Sequence, residues 1–171
     1  IDWIISEIPK NGTVAVNAIA TSHANWELLN EKLSAKNRKL VDLPLLKDLW
    51  KDRNSNAVKN PIFVHPVERA GKSVSEKLSD IRNKMEELET SVHVISSLDD
   101  VAWTLNLRGS DVQSNPVFLG YILLTKNEAK LYVDLEKLDV DSRKQLDDSG
   151  VKMLPYENFF TDLKNISSEK I

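Results

Sequence analysis

The segment best suited to chemistry is Asn106-Leu-Arg-Gly-Ser-Asp111, in which a glycine and a serine separate a guanidinium from a carboxylate. Such a turn allows Arg108 and Asp111 to pair, or allows the arginine to bind a partner's carboxylate in a forked geometry. Both residues also have a structural interpretation, because an arginine at a helix C-terminus interacts favourably with the helix dipole and an aspartate can brace a loop. From the residues alone, both interpretations stay open.

No other group of residues has the spacing of a catalytic or metal site. The histidines, His23, His65 and His93, fall in different predicted elements and in none of the zinc-binding spacings. Cysteine is absent, which excludes thiolate metal sites and cysteine nucleophiles. The adjacent acids Asp99 and Asp100 point about 100° apart on a helix, so they do not converge on one ion. We therefore expect neither a metal site nor a catalytic residue in this chain.

The composition argues against two classes of partner. The 23 Lys and Arg residues are interspersed with 26 Asp and Glu residues, so we expect no nucleic-acid binding. The longest apolar run, Val117 to Leu124, is interrupted by Gly120 and is far shorter than the roughly 20 residues that cross a bilayer, so we expect no membrane span. Because the chain opens at Ile1 with neither an initiator methionine nor a basic segment followed by an apolar one, we expect it to be part of a longer protein.

The elements that must position these residues alternate between strands and helices. The first part predicts a helix over 2–8, a strand over 13–17, a helix over 24–36 capped by Ser22, a strand over 40–43, and a short helix from Pro44 through Trp50. The polar stretch Lys51 to Asn60 then predicts a boundary between two lobes.

The second part contains two predicted capping signatures. Ser73 with Glu76 begins a helix with one apolar stripe, and Ser97 with Asp100 begins another, which we expect to end at Gly109. The other predicted elements are strands over 61–65, 92–96, 117–125, 129–134 and 151–154, and helices over 141–149 and 156–164. The three-residue loop between the third and fourth of these strands predicts an antiparallel pair. We expect Trp103, Phe118 and Tyr121 to lie in the core.

The predicted fold class is α/β, a mixed β-sheet flanked by helices, with a smaller α/β segment at the N-terminus.

Several longer motifs carry a family resemblance. In order and spacing, the sequence resembles the cytosolic three-domain Xaa-Pro aminopeptidases (aminopeptidase P). The residues that carry the resemblance are Leu49-Trp-Lys-Asp-Arg53, Gly71-Lys-Ser-Val-Ser-Glu-Lys-Leu78, Ser96-Ser-Leu-Asp-Asp-Val-Ala-Trp103, Asn106-Leu-Arg-Gly-Ser-Asp111 and Asn115-Pro-Val-Phe118.

The resemblance implies the non-catalytic, N-terminal part of a metallopeptidase with a creatinase/prolidase-like fold. Residues 1–57 would be the C-terminal part of a first creatinase-like domain, and residues 58–171 a second such domain. The resemblance further implies a cytoplasmic enzyme that removes the N-terminal residue from peptides with proline in second position. It implies two divalent ions, manganese, in a pita-bread catalytic domain absent from this chain, so that no cofactor belongs to the chain itself.

The resemblance also implies partners and a role for the chain. Its partners would be its own C-terminal catalytic domain and short proline-containing peptides, with a homodimer of the full-length protein. The lobes would wall the active site and exclude folded proteins, with Arg108 and Asp111 as candidates for the substrate entrance or the interdomain contact. Two alternatives stay open: a peptidase-like binding module of the histone-chaperone type, and a relative of prolidase or creatinase.

Overall fold

A computed structural model describes residues 1–45, 49–50 and 60–166 of the chain. These residues fall into two units, Ile1–Ser55 and Asn56–Ile171. Residues 46–48 of the helix expected from Pro44 through Trp50, and residues 51–59 of the boundary stretch Lys51 to Asn60, lie outside the described residues.

The first unit confirms the predicted β-α-β pattern. It consists of α1 (Asp2–Glu7), β1 (Thr13–Val16), α2 (His23–Ser34) and β2 (Lys39–Asp42). The two strands pair in parallel, with Thr13 opposite Lys39. Ser22 caps α2 as expected, since its Oγ accepts a hydrogen bond from the backbone N–H of Asn25 at 3.3 Å.

The second unit contains a mixed four-stranded sheet with helices on both faces. Its elements are β3 (Phe63–Val64), α3 (Val67–Ala70), α4 (Val74–Glu87), β4 (Val92–Ile95), α5 (Leu98–Thr104), β5 (Leu107–Arg108), β6 (Gly120–Thr125), β7 (Ala129–Val133), α6 (Val140–Asp148), β8 (Val151–Pro155) and α7 (Phe159–Asn165). The strand order is β4-β6-β7-β8, in which β7 and β8 are parallel and the other pairs are antiparallel. This arrangement confirms the predicted mixed sheet and the predicted hairpin.

The alternation of side chains along the central strands separates the two faces of this sheet. Ile122 and Leu124 of β6 pack in a core with buried side chains of α4, α5 and α6. Leu123 of β6 and Tyr132 of β7 point to the other face, where they pack against Phe159 of α7. The sheet therefore lies between two apolar layers, as its hydrophobic strands require.

Helix α4 begins where the sequence predicts. The Oγ of Ser73 accepts from the backbone N–H of Glu76 at 3.3 Å, and the Glu76 carboxylate accepts from the backbone N–H of Ser73 at 2.8 Å. These two hydrogen bonds form the expected capping box, and hydrogen bonding by Ser73 lowers the pKa of Glu76.

The segment after α5 differs from the prediction. The helix begins after Ser97, but the Ser97 side chain makes no capping hydrogen bond, and the helix ends at Thr104 instead of continuing to Gly109. The cause lies at Asn106, whose φ of 50° is left-handed and turns the chain out of the helix. The chain then forms β5, which pairs antiparallel with β3. Gly109 serves close packing, because a Cβ there would lie 2.8 Å from the Cβ of Phe118.

The beginning of the second unit is held by residues far along the chain. The backbone N–H of Ile62 donates to the carbonyl of Lys137 at 2.7 Å, and the hydroxyl of Ser142 donates to the carbonyl of Ile62 at 3.0 Å. Ile62 and Ser142 are fully buried. The strand at the start of the unit is therefore attached to the N-terminal end of α6.

Candidate functional site

Asp111 is held in a buried ion pair, but its partner is not Arg108. Its carboxylate binds the Nζ of Lys137 and also accepts a hydrogen bond from the backbone N–H of Leu119 at 2.8 Å. The two charged side chains are only 3 % and 7 % exposed. The possible pairing of Arg108 with Asp111 is not formed, and Asp111 instead fixes the loop that leads into β6 to the segment before α6.

Arg108 lies on strand β5 and not at the C-terminus of a helix. Its Nη1 donates to the carbonyl of Ala102 at 3.0 Å and to its own neighbour Leu107 at 2.9 Å. The first bond satisfies a carbonyl near the end of α5, so the favourable interaction with a helix C-terminus exists although the helix ends earlier than expected. Among the described residues, the Nε and Nη2 of Arg108 have no hydrogen-bond partner.

A groove of about 610 Å³ lies beside the ion pair of Asp111 and Lys137. It opens where the parallel strands β7 and β8 end, and its wall includes Asp134 and Pro155. The carboxyl ends of neighbouring parallel strands are a common place for binding sites in α/β proteins. The structure thus places one of the two candidate residues on the wall of a groove.

Around Asn106 the structure contains a polar cluster that sequence reasoning missed. The Oδ1 of Asn106 accepts from the Nζ of Lys77 at 2.6 Å, and its Nδ2 donates to the carbonyl of Lys72 at 2.8 Å. Its own carbonyl accepts from the backbone N–H of His65 at 2.8 Å and from Gln145 at 3.3 Å. Asn106 therefore connects α4, α6 and the segment that follows β3 through one buried residue.

Lys77 is buried without a carboxylate partner in the part of the chain that the structure describes. Its side chain is only 1 % exposed, and its Nζ donates to the carbonyl of Trp103 at 2.7 Å as well as to Asn106. The same Nζ lies 4.1 Å from the centroid of the Trp103 ring, a cation–π distance. Desolvation, followed by the charge of Arg108, lowers the pKa of Lys77.

Trp103 is an exception to the expected aromatic core. Phe118 is fully buried, and Tyr121 stacks on Phe159 with a centroid distance of 4.0 Å, but Trp103 is 49 % exposed. One part of the Trp103 ring covers Lys77, and the rest is open to solvent. A large aromatic ring in this position is a candidate for contact with a partner.

The signal for Lys77 was present in the sequence. Lys77 lies three residues after Val74 and directly before Leu78, on the apolar stripe of α4. A lysine in such a position must either extend its amine to the surface or find acceptors in the interior. No comparable signal identified Lys137, because its partner Asp111 is distant in sequence and the two meet only in the folded chain.

The described residues do not provide a site for a metal ion. Within residues 1–45, 49–50 and 60–166, no group of three or more His, Asp or Glu side chains comes together as ligands. In the same part of the chain, every helix is too short or too polar to span a bilayer.

Comparison with known proteins gives the family. Residues 52–171 match the Creatinase/Prolidase N-terminal domain family. A "Probable Xaa-Pro aminopeptidase P" of Arthroderma gypseum is 37 % identical over 171 residues, which are 99 % of this chain and 27 % of the relative. "Aminopeptidase P2" of Arabidopsis thaliana is 32 % identical over 170 residues, which are 98 % of this chain and 24 % of the relative.

A solved structure is similar over almost the same length. The X-prolyl aminopeptidase of Caenorhabditis elegans, described as a cytosolic enzyme with a di-nuclear active site, superposes with a TM-score of 0.85 at 29 % identity. The similarity covers 96 % of this chain and 27 % of that one. The chain thus spans about a quarter of the length of the relatives it matches, and it belongs to the Creatinase/Prolidase N-terminal domain family.

Proposed function

We propose that the chain is a non-catalytic part of a longer Xaa-Pro aminopeptidase, which removes the N-terminal residue from peptides with proline in second position. The observation that carries the proposal is the extent of the match. Two relatives named as aminopeptidases, one of them as a probable Xaa-Pro aminopeptidase, align with 99 % and 98 % of this chain, yet the aligned part is only 27 % and 24 % of their own length. In the proposed protein, residues 1–57 and 58–171 belong to two successive creatinase-like domains.

In this proposal the chemistry belongs to a separate C-terminal catalytic domain. The C. elegans structure is described as having a di-nuclear active site, and two divalent ions, manganese in our proposal, would activate a water molecule for attack on the peptide bond. The described residues of this chain offer no matching set of donors. No catalytic step is therefore assigned to them.

The proposed role of this part is to wall the active site and restrict it to short proline-containing peptides. Such a wall must be rigid. The buried ion pair of Asp111 and Lys137 beside the groove supports the proposal, because it fixes two segments of the chain to each other. Among the described residues, the Nε and Nη2 of the partly exposed Arg108 have no hydrogen-bond partner. In our proposal, these donors bind either a peptide at the substrate entrance or the catalytic domain. We also propose that the longer protein is cytoplasmic and forms a homodimer.

The proposal is tested by comparing this chain alone with a longer protein that contains it. Both are incubated with manganese and with two peptides that differ only in having proline or alanine in second position. We expect cleavage only of the proline peptide, and only by the longer protein. Cleavage by the 171-residue chain alone would contradict its assignment as non-catalytic. Absence of cleavage by the metal-loaded longer protein would contradict the proposed activity.

A further inference from the structure

Strands β3 and β5 present an exposed face that combines aromatic and cationic side chains. Phe63 and Arg108 are direct partners in this antiparallel pair, so their side chains leave on the same face. The other pair, Val64 with Leu107, points to the interior, where Leu107 is fully buried. Phe63 is 48 % exposed, although it belongs to a strand.

Two further residues extend this face. His65 follows Phe63 by two positions, and its backbone N–H bonds to Asn106, so its side chain leaves on the same face as Phe63. Arg108 donates to the carbonyl of Ala102, the residue directly before the half-exposed Trp103. We call the set Phe63, His65, Trp103 and Arg108 the β3–β5 face.

Positive charge accumulates at this face without a matching negative charge. Partial burial lowers the pKa of His65, and so do the charges of Arg108, Arg69 and Lys77, in that order. Within the described part of the chain, no carboxylate forms an ion pair or a hydrogen bond with the side chains of His65, Arg69, Lys77 or Arg108. Arg69 is exposed on α3, which begins two residues after His65.

We propose that the β3–β5 face is a docking surface for a carboxylate-bearing segment of the remainder of the longer protein. The inference rests on the proposed function, because it requires a longer chain. Arginine and aromatic side chains are the residues enriched in the centres of protein interfaces. An aspartate or glutamate would bind the free Nε and Nη2 of Arg108 in a forked geometry, while Phe63 and Trp103 cover the apolar surroundings.

Two observations favour this occupant over a free anion. The relatives carry about three quarters of their length outside the matched region, so a large covalently attached partner is available in them. In addition, half of the β3–β5 face is aromatic, with two rings about half exposed, and a small anion would leave that apolar surface in water. A protein segment with an acidic residue satisfies both the charge and the apolar surface.

The test measures access to His65 in the longer protein. Diethyl pyrocarbonate modifies accessible neutral imidazole, and peptide mass spectrometry reports the rate for each histidine. We expect His65 to react at least about tenfold more slowly in the longer protein than in the 171-residue chain, because the docked state must open first. His93, exposed on the edge strand β4, serves as the internal reference with an unchanged rate.

Removal or reversal of positive charge identifies the occupant. Arg69→Glu and Arg108→Gln should each restore the reactivity of His65 in the longer protein, and rising salt should do so gradually, since partly exposed ion pairs are screened. Lys126→Glu is the matched control for Arg69→Glu, because it makes the same charge change at an exposed residue in the turn between β6 and β7. It should leave the protection of His65 intact.

Three outcomes would overturn the inference. Equal rates for His65 in the two proteins would mean that the face is open. Protection that survives Arg69→Glu, Arg108→Gln and high salt would mean that the occupant is not a carboxylate. Protection that appears only when peptide substrate is added would assign the face to substrate and not to the rest of the chain. Since none of these rates depends on cleavage, failure here is distinguishable from failure of the proposed activity.

Discussion

Lys77 donates its Nζ to the Oδ1 of Asn106 at 2.6 Å, in a place where both side chains are buried. Lys77 comes from α4, and Asn106 stands in the left-handed turn between α5 and β5. The bond gives the buried Oδ1 of Asn106 a donor and gives the buried amine of Lys77 an acceptor in addition to the carbonyl of Trp103. It also determines where the chain leaves α5, and hence where Arg108 lies.

Replacing Asn106 by alanine should destabilise the second unit by about 2–4 kcal/mol. The variant loses two side-chain hydrogen bonds, one of them to a buried ammonium, and puts alanine, which tolerates the left-handed region less well than asparagine, at a φ of 50°. Urea unfolding, followed by circular dichroism, measures the change. Asn83→Ala is the control, because Asn83 is exposed on α4 and should cost under about 0.5 kcal/mol. Equal effects of the two substitutions would contradict the role of Asn106.

Lys77 should give the unfolding free energy a recognisable pH dependence. Because desolvation lowers its pKa in the folded state, the unfolded chain binds more protons between that pKa and the ordinary value of 10.5. Stability from this residue therefore rises with pH across that interval. Lys77→Met lacks the rise and leaves Asn106 without its donor, so the difference in stability between wild type and variant should grow from pH 7 toward pH 10.5. A constant difference in urea unfolding would exclude this interpretation.

Asp111→Ala should cost about 3–5 kcal/mol, because it leaves Lys137 charged and buried without its partner. The double variant Asp111→Leu with Lys137→Met removes both charges and should regain most of that loss. Chemical denaturation of the two single variants Asp111→Leu and Lys137→Met, and of the double variant, measures the coupling. If both single variants and the double variant are equally destabilised, the ion pair is not the cause.

Gly109→Ala should destabilise through crowding and not through backbone conformation. A Cβ at Gly109 would lie 2.8 Å from the Cβ of Phe118 and 3.1 Å from the carbonyl oxygen of Val117, so the backbone or the core must shift. We expect a loss of about 1–3 kcal/mol in thermal unfolding. At Gly71, by contrast, a Cβ meets open space but the φ is +78°. Gly71→Ala should therefore cost about 1–2 kcal/mol from backbone strain alone, without disturbing the near-ultraviolet signal of the core.

Arg108→Ala should alter the kinetics of the longer enzyme without altering its metal content. If Arg108 lies at the substrate entrance, KM should rise while kcat stays near the wild-type value. If it holds this part against the catalytic domain, limited proteolysis between the two should become faster. Arg82→Ala is a matched control, because Arg82 also donates to a backbone carbonyl, that of Thr125 at 3.1 Å. Unchanged kinetics and unchanged proteolysis would remove Arg108 from the candidate residues.

Local signals in the sequence were sufficient for most of the fold. The capping residues Ser22 and Ser73 mark the starts of α2 and α4, and Gly150, with a φ of 69°, follows the end of the helix expected over 141–149. The short loop after Thr125 indicates the hairpin because loop length restricts strand geometry. These features depend on neighbours in sequence, so they could be read without the structure.

The errors occur where distant residues decide the conformation. Asn106 ends α5 early because its side chain binds Lys77 and Lys72, and β5 forms because β3 is there to pair with it. Asp111 pairs with Lys137 and not with Arg108, although Arg108 is much closer in sequence. Periodicity and spacing contain no information about such contacts, so the sequence could name Arg108 and Asp111 as candidates but could not predict what they contact.

The attachment of Ile62 to Ser142 has a consequence for synthesis of the chain. The two residues are separated by 80 positions, so Ile62 leaves the ribosome well before the residue that binds it. Until then, β3 can pair with β5 but lacks its anchor at α6, and its apolar residues stay exposed to chaperones or to other nascent chains. The second unit should therefore complete its folding only after residue 142 has emerged, late in its own translation.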